Sequence, residues 1–467
     1  MSSTIVAEPP LYPPTVSPAL AGMPQPVYIA KLVANPLRAI PSAAYHEPVT
    51  RYRSFGTDFA WIARPDLIDQ VLLRDADFYA KSPVERRVLG PLLGNGILMA
   101  SGAAWKWQRK VAAPLFRHSE VSTYSAAMTA AAGTQLSKWR QLSPGPGRSF
   151  LSDVQPAMKT ATFDVIATTI LAGCEPHEAE MIRRTDATFM RGTPWLVATS
   201  VLGLPEWLWH PGQSHVRFAA SELRAAVLSI VRRRRAQLAT GKELPNDILG
   251  RLIAARETST NEAMTDTMIV DNLATFLEAG HLTTAQALTW TLYLLARAPQ
   301  WQDRVRAEIT QVAGNAVIEA HHLEVLPVTM RVLKEAMRLY PPAPAIVRIA
   351  TQDTTLDGQT IVKGTLVVVS IYVVHRHTLM WSDPDRFDPD RFLPEREQAM
   401  PRGQYMPFGY GPRTCLGMPF AMIEGVSMLA TFLRAIRFDW DGHHIPEPVS
   451  QITLNPKGGM PLLLTML

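Results

Sequence analysis

One of the two cysteines of this chain lies in a glycine-rich segment near the C-terminus. The segment reads Phe408-Gly-Tyr-Gly-Pro-Arg-Thr-Cys-Leu-Gly417, with Cys415 as its eighth residue. Glycine permits backbone angles that other residues avoid, and it allows a flat partner to approach the backbone closely. Backbone N–H groups of such a loop can point at the Cys415 sulfur, which Phe408 can shield. A thiolate held in this way can ligate a soft or borderline metal ion; the alternative is a buried cysteine beside a glycine turn.

A charged pair precedes this segment. Glu335 and Arg338 are three residues apart, so they share one face of a helix, where Arg391 can join them in a charge-assisted triad. The alternative is a surface salt bridge, which adds little stability.

An apolar helical pattern extends from about residue 265 to 296 and contains Gly280 and Thr283 near its middle. Gly280 lowers helix stability by about 1 kcal/mol relative to alanine. Thr283 can bond back to a carbonyl and open the helical ladder, which makes a niche for a diatomic ligand. The alternative is an ordinary core helix that tolerates both residues.

The pattern Phe-x-x-Gly-x-Arg-x-Cys-x-Gly at 408–417 resembles the haem-ligand signature of the cytochrome P450 family. Glu335-Ala-Met-Arg338 is similar to the Glu-x-x-Arg helix of that family, and Pro389-Asp-Arg-Phe392 resembles its Pro-Glu-Arg-Phe segment. The motifs occur in the family's order, and the resemblance extends from about residue 45 to the C-terminus.

The resemblance implies a mainly α fold with a small β portion and a long central helix over a buried haem. It implies haem b as the cofactor, with the Cys415 thiolate as axial ligand of the iron. Trp105 and Arg109 match a Trp-x-x-x-Arg pair that lies beside the haem propionates. The full set of implied cofactor contacts is Cys415, Trp105, Arg109, Arg348, Phe408, Arg413 and Gly417.

The implied function is that of a haem-thiolate monooxygenase. Such an enzyme inserts one oxygen atom from O2 into a C–H or C=C bond, with electrons from an NAD(P)H-dependent ferredoxin- or reductase-type donor. The implied catalytic residues are Thr283, Thr284 and Gly280, with Thr283 as the candidate for proton delivery. A hydrophobic substrate is expected, because the implied pocket residues are mostly apolar. They are Ile97, Leu98, Met99, Phe189, Thr275, Phe276, Ala279, Leu282, Ala345 and Ile346.

Leu282 departs from the family pattern Ala-Gly-x-Asp/Glu-Thr, because it stands where the acid is expected. Leucine cannot carry a proton. Either Thr283 and ordered water suffice, or oxygen activation is altered. The second reading leaves a peroxide-driven peroxygenase open as an alternative function, and a haem-based gas sensor without turnover is a further one.

The segment at 375–392 and the Ala-Gly-His of the long helix resemble soluble bacterial members whose haem domain is fused to a phthalate-dioxygenase-type reductase. We expect the chain to be such a haem domain or a stand-alone enzyme. In either case the electron donor is another protein or a fused domain outside this sequence.

The composition indicates a globular protein. Of the 467 residues, 47% are apolar and 19% are charged, which excludes a disordered chain. A net charge of +5 is too dilute to predict a nucleic-acid partner, and two cysteines make no disulfide framework. Apolar runs such as 288–296 are shorter than the roughly 20 residues of a membrane span. We expect no membrane anchor and a cytoplasmic location.

The organisation along the chain predicts one large domain. Residues 1–45 are rich in proline and are predicted to form an irregular arm, and residues 46–467 a single haem-binding monooxygenase domain. A small hairpin followed by a helix is expected between about 47 and 75, helices over 100–345, a further hairpin and a buried strand after 350, and short strands over 436–467. The basic run 232–235 is predicted to be a solvated helix face, with docking to an acidic partner or membrane as the alternative.

Overall fold

The computed structural model describes residues 9–20, 22–54, 56–201, 203–241, 247–257 and 260–467. Within these ranges the chain is mainly helical, with four small sheets, as the resemblance predicted. The helices are α1 (Gln25–Ala34), α2 (Pro65–Asp69), α3 (Pro83–Leu93), α4 (Gly102–Ala112), α5 (His118–Ser122), α6 (Ser125–Leu142), α7 (Val154–Thr169), α8 (Pro176–Val201), α9 (Gln213–Ala239), α10 (Ile248–Ala254), α11 (Asp266–Arg297), α12 (Pro299–Ala313), α13 (Ala320–Leu323), α14 (Pro327–Leu339), α15 (Ile371–Val374), α16 (Pro394–Ala399) and α17 (Met418–Ala435). The strands are β1 (Val49–Ser54), β2 (Thr57–Ile62), β3 (Tyr79–Lys81), β4 (Ser149–Asp153), β5 (Ala345–Ala350), β6 (Thr354–Leu356), β7 (Gln359–Ile361), β8 (Leu366–Ser370), β9 (Ile436–Asp439), β10 (Pro448–Ser450), β11 (Leu454–Pro456) and β12 (Pro461–Met466).

Helix α11 crosses the core. It has 32 residues, which span roughly 48 Å at 1.5 Å per residue. Thr265 caps its N-terminus, where the side chain accepts a hydrogen bond from the backbone N–H of Met268. Helices α7, α9, α14 and α17 pack around it. The predicted helix over 265–296 is therefore confirmed to within one residue at each end.

The largest sheet has five strands in the order β1-β2-β8-β5-β3. β1 and β2 form the predicted antiparallel hairpin, and β2 runs parallel to β8, which is buried along its whole length. The buried strand predicted after residue 350 is β8, which ends at Ser370. Ser370 caps the short helix α15 by accepting a hydrogen bond from the backbone N–H of Val373, and this cap turns the chain out of the sheet.

The segment before residue 46 is more ordered than predicted. It contains helix α1, which has a proline in its first turn, where a missing N–H removes no helical hydrogen bond. Earlier in the chain, the Tyr340 hydroxyl donates to Pro14 O at 2.8 Å, and Phe387 N donates to Leu11 O at 2.9 Å. These bonds hold the irregular residues 9–20 on the core.

The prediction of a solvated basic face at 232–235 is wrong. Three of the four arginines form ion pairs with acids on other elements, and the Arg234 side chain is only 7% exposed. The pairs are Arg233 with Glu178, Arg234 with Asp247, and Arg235 with Asp266. These acids are distant in sequence, so helical periodicity within α9 does not reveal them.

Candidate active site

Cys415 ends a tight loop of residues 406–415, the cysteine loop, which lies close to Ile346 of β5 and to Leu72. Its backbone N–H donates to Phe408 O at 2.9 Å. Gly409 and Gly411 have φ angles of 77° and 73°, in the left-handed region that favours glycine. A Cβ on Gly411 would lie 2.5 Å from Leu72 O, so this position also needs glycine for close approach.

The Cys415 thiol stands just before the N-terminus of α17. Burial raises its pKa, and three features oppose this effect: the backbone N–H of Gly417, the charge of Arg109 and the backbone N–H of Met418. These groups stabilise a thiolate. The Cys415 side chain is exposed.

One stretch of α11 is also accessible. Between residues 269 and 296 the helix is buried except at five positions, namely Glu278, Ala279, Gly280, Leu282 and Thr283. In a helix these residues lie on one face, centred on Ala279 and Thr283.

Thr283 bonds back to its own helix as predicted, and Thr284 does the same. Thr283 Oγ1 donates to Ala279 O at 2.7 Å, and Thr284 Oγ1 donates to Gly280 O at 3.1 Å. The helix is nevertheless continuous from Asp266 to Arg297. A Cβ on Gly280 would lie 2.8 Å from Ile166 Cδ1, so the close approach of α7 explains the glycine. Catalytic roles for Thr283, Thr284 and Gly280 stay predictions.

A cluster of cations contains three of the predicted propionate-binding residues. Arg413 and Arg109 lie over the Trp105 ring, at 4.4 and 5.8 Å from its centroid. Arg109 Nη2 also donates to Thr414 O at 3.0 Å, which joins α4 to the cysteine loop. Burial and the charge of Arg348 lower the pKa of Arg413 to about 10.

Sequence reasoning missed Lys81 and Glu85, which belong to the same cluster. Lys81 Nζ lies 3.1 Å from Glu85 Oε1, and Arg348 lies 4.0 Å from the other oxygen of this carboxylate. Burial lowers the pKa of Lys81 and also that of Arg348. The cluster thus contains four cations and one acid, and this excess of partly desolvated positive charge suits a dianionic ligand group.

The predicted triad forms beneath this site. Arg338 Nε and Nη2 bind Glu335 at 2.7 and 2.8 Å, and both side chains are fully buried. Arg391 Nε lies 3.6 Å from Glu335, while the Nη atoms of Arg391 donate to the carbonyls of Ser382 and Asp383. The bidentate pair is the stronger contact, and Arg391 contributes mainly by fixing the neighbouring loop.

His375 is a further organising residue that the sequence analysis did not single out. Its Nε2 accepts a hydrogen bond from Met406 N at 2.9 Å, and its Nδ1 donates to Arg338 O at 3.2 Å. Burial lowers the pKa of His375 to about 3, so the ring is neutral at ordinary pH. It joins the triad helix α14 to the start of the cysteine loop. No local motif marks this role.

The predicted pocket residues divide into two groups. Leu98, Ala279, Leu282, Ala345 and Ile346 have accessible side chains. Ile346 of this group lies close to the cysteine loop, because a Cβ on Gly409 would lie 3.7 Å from Ile346 Cδ1. The remaining residues are buried at 9% exposure or less; they are Ile97, Met99, Phe189, Thr275 and Phe276.

Comparison with known proteins decides the family. The family model described as Cytochrome P450 matches residues 41–463. This chain belongs to the cytochrome P450 family. P450 proteins carry haem with a cysteine thiolate as axial ligand, and Cys415 occupies that position in the motif.

Relatives of this P450 come from several kingdoms. It is 30% identical to Cytochrome P450 4F12 of Homo sapiens, over 90% of this chain and 82% of that protein. It is 29% identical to cyclooctat-9-en-7-ol 5-monooxygenase of Streptomyces melanosporofaciens, over 91% of this chain and 89% of that protein. It is 28% identical to 11-oxo-beta-amyrin 30-oxidase of Medicago truncatula, over 90% and 82%. These names are consistent with a P450 monooxygenase.

The crystal structure of the cytochrome P450DA heme domain shares the fold, with a TM-score of 0.82 and 23% identity over 97% of this chain and 99% of that one. The residues present fit a haem. The Cys415 side chain is accessible, two backbone N–H groups and Arg109 oppose the burial that raises its pKa, and the cation cluster suits two propionates. In the part of the chain that the structure describes, no helix is both long enough and apolar enough to cross a membrane.

Proposed function

We propose that this P450 inserts one oxygen atom from O2 into a C–H or C=C bond of a hydrophobic organic substrate. The accessible side chains among the predicted pocket residues support this proposal. Among the predicted pocket residues, those with accessible side chains are all aliphatic, and the hydroxyl beside them, Thr283 Oγ1, is already bonded to Ala279 O. A pocket of this kind gains affinity from apolar burial and offers a charged substrate no partner.

The haem supplies oxygen activation when it is bound. Cys415 would hold it through its thiolate, and Arg109, Arg348, Arg413 and the Trp105 indole would bind its propionates. The N–H groups of Gly417 and Met418 point at the sulfur and stabilise its negative charge.

Thr283 is the proposed residue for proton delivery. Its hydroxyl hydrogen is engaged by Ala279 O, while its oxygen is free to accept a hydrogen bond from water. When the hydroxyl turns toward the open space it can pass a proton onward. Thr284 is turned toward Glu424 of α17, so its proposed part is to support the helix rather than to deliver the proton itself.

The electron donor is proposed to be an NAD(P)H-dependent ferredoxin- or reductase-type protein or fused domain. Helix α4 contacts the cysteine loop through Arg109, and it also carries the exposed residues Lys106 and Lys110. Together with the exposed Arg402 they offer positive charge to an acidic donor. Reduction that slows as salt rises is expected; a rate independent of salt would argue against this docking face.

The finer family type is also a proposal. The segment at 375–392 and the Ala-Gly-His sequence at 279–281 support a soluble bacterial P450 of the self-sufficient kind, located in the cytoplasm. Its relatives include plant and human proteins, so this assignment depends on those two segments alone.

A paired turnover assay tests the proposed function. A panel of alkanes, fatty acids, styrenes and terpenes is supplied either with NADPH and a surrogate reductase or with hydrogen peroxide alone, and the products are analysed. Oxygenated product chiefly in the NADPH arm supports the monooxygenase. No product in either arm contradicts it and favours a gas sensor.

Leu282 favours a second candidate, a peroxide-driven peroxygenase. Its accessible aliphatic side chain occupies the position where the family pattern has an acid. Product chiefly in the peroxide arm of the same assay would make this candidate the better description.

A further inference from the structure

Glu278 lies at the edge of the accessible face of α11. Glu278 and Leu282 are four residues apart, so they share the same edge of this face, with about 5–6 Å between their Cβ atoms. Thr283 lies next to that edge. Glu278 therefore stands one helical turn before the position at which Leu282 replaces the expected acid.

Glu278 is in contact with a second acid. Burial, followed by the charge of Asp186 and a hydrogen bond to it, raises the pKa of Glu278 well above its usual value. Among the described residues, Glu278 Oε1 and Asp186 Oδ1 have no hydrogen-bond donor. A proton on Glu278 Oε1 that is donated to Asp186 Oδ1 satisfies both atoms. Glu278 is thus a neutral acid that stores a proton.

His281 binds the other oxygen of Asp186. Its Nε2 lies 2.7 Å from Asp186 Oδ2, and its Nδ1 lies 2.8 Å from Leu277 O. Because a carbonyl oxygen can only accept, Nδ1 carries a hydrogen, and a further proton must lie between Nε2 and Oδ2. The His281 side chain is 2% exposed, so this second proton is shielded from bulk water.

Three helices hold this cluster in place. Asp186 comes from α8, while Glu278 and His281 come from α11. On α7, Lys159 faces Asp186, and the attraction opposes the burial that lowers the pKa of Lys159. Thr162 Oγ1 of α7 also donates to His281 O at 3.0 Å. The Asp186 side chain is 17% exposed, which gives solvent a point of access.

Building on the proposed function, we propose that Glu278 supplies protons to Thr283 in place of the acid missing at position 282. The proton leaves Glu278 and reaches the Thr283 hydroxyl through water; the proton shared by His281 and Asp186 then restores Glu278, and solvent replaces it through Asp186. Each inserted oxygen atom consumes two such protons, with two electrons from the donor. Asp186 and His281 are positioning residues for Glu278.

Coupling of NADPH to product tests this role in the holoenzyme with a substrate from the panel. We expect Glu278→Gln to lower product per NADPH at least fivefold and to raise peroxide release. Glu278→Gln/Leu282→Glu should restore coupling to within twofold of wild type. The matched control is Glu180→Gln, a carboxylate on α8 that is 51% exposed, and it should leave coupling unchanged.

Two outcomes would overturn the proposal: coupling of Glu278→Gln within twofold of wild type, or failure of Leu282→Glu to restore it. Leu282→Glu alone gives a test that needs no change at Glu278. If Glu278 already supplies protons, this variant should couple within twofold of wild type, and a larger gain would contradict the proposal.

Infrared spectroscopy of the protein without haem separates this inference from the proposed function. At neutral pH, wild type should show a protonated-carboxyl band that Glu278→Gln removes and that Asp186→Asn shifts. Absence of that band would contradict the inference that Glu278 stores a proton, even if the enzyme is active. Wild type that shows the band but forms no product would instead contradict the proposed function.

Discussion

At the residue scale, the most informative side chains are those that join segments distant in sequence. His375 bonds to Arg338 of the triad and to Met406, which begins the cysteine loop. Arg338 itself donates to the carbonyls of His375, Pro384 and Arg386 as well as to Glu335. The His375 imidazole, held in one tautomer, and the Arg338 guanidinium thereby fix the segments that support the cysteine loop.

The neutral state of His375 predicts a pH-dependent stability. The pKa of His375 in the folded protein, about 3, lies below the ordinary value of 6.5. Between pH 6.5 and 3, His375 therefore binds a proton in the unfolded chain but not in the folded protein. Its contribution is complete above pH 6.5 and falls by about 1.4 kcal/mol per pH unit as the pH is lowered toward 3. Urea unfolding between pH 7 and 4.5 measures the slope. His375→Gln, which cannot titrate, should show a shallower slope; an equal slope would contradict the assignment.

Arg338→Lys should destabilise the protein by about 3 kcal/mol or more. Lysine keeps the charge but loses the two-pronged bond to Glu335 and leaves buried carbonyls without a donor. The matched control is Arg331→Lys, because Arg331 pairs at 2.6 Å with Asp390, whose side chain is 38% exposed. That change should cost about 1 kcal/mol or less. Thermal melts compare the two, and similar melting temperatures would be evidence against a special role for the buried pair.

At the scale of elements, the cysteine loop depends on where each glycine meets its neighbours. Gly409 and Gly411 share a left-handed backbone, but their surroundings differ. A Cβ on Gly409 would meet Ile346 Cδ1 at an ordinary 3.7 Å, whereas one on Gly411 would lie 2.5 Å from Leu72 O. Strain from φ is common to both positions, and overlap with the backbone belongs to Gly411 alone.

Gly411→Ala should therefore be much more damaging than Gly409→Ala. The left-handed angle costs alanine about 1 kcal/mol at either position, while the overlap at Gly411 also forces the loop away from Leu72. We expect Gly409→Ala to retain haem and Gly411→Ala to lose most of it. Haem content per protein and thermal melts provide the readout. Equal haem retention in both variants would show that the close approach does not matter.

At the scale of the whole molecule, the fold brings like charges together where a ligand must compensate them. Lys81 comes from β3, Arg109 from α4 and Arg348 from β5, while Arg413 precedes Cys415. Burial lowers the pKa of each of these cations, and Glu85 is the acid among them. The protein without haem therefore retains repulsion that two propionates would relieve.

Arg413→Gln should have opposite effects on the two forms of the protein. Without haem, removal of one crowded cation should leave the melting temperature unchanged or raise it. With haem, loss of a charge-assisted partner should weaken binding by about tenfold, which corresponds to roughly 1.4 kcal/mol. Haem transfer to an acceptor protein gives the dissociation rate. A lower melting temperature without haem, together with unchanged haem transfer, would refute the proposed repulsion.

The sequence by itself determined the features that depend on local spacing. The long helix, the β1–β2 hairpin and the Glu335–Arg338 pair follow from periodicity and turn residues, and the Cys415 motif identified the family. Local patterns suffice there because hydrogen bonds between near neighbours specify the structure. The helix within the proline-rich arm was missed because proline in the first turn resembles a break.

Only the tertiary structure decided which distant groups meet. The arginines of 232–235 find acids on other elements, Glu85 joins the cation cluster, and Glu278 meets Asp186 across two helices. The same packing buries Met99, Phe189 and Thr275, which were predicted to line the pocket. Such contacts depend on how helices cross, because side chains far apart in sequence become neighbours only when the core packs. The spacing of residues along one helix does not indicate which helix packs against it.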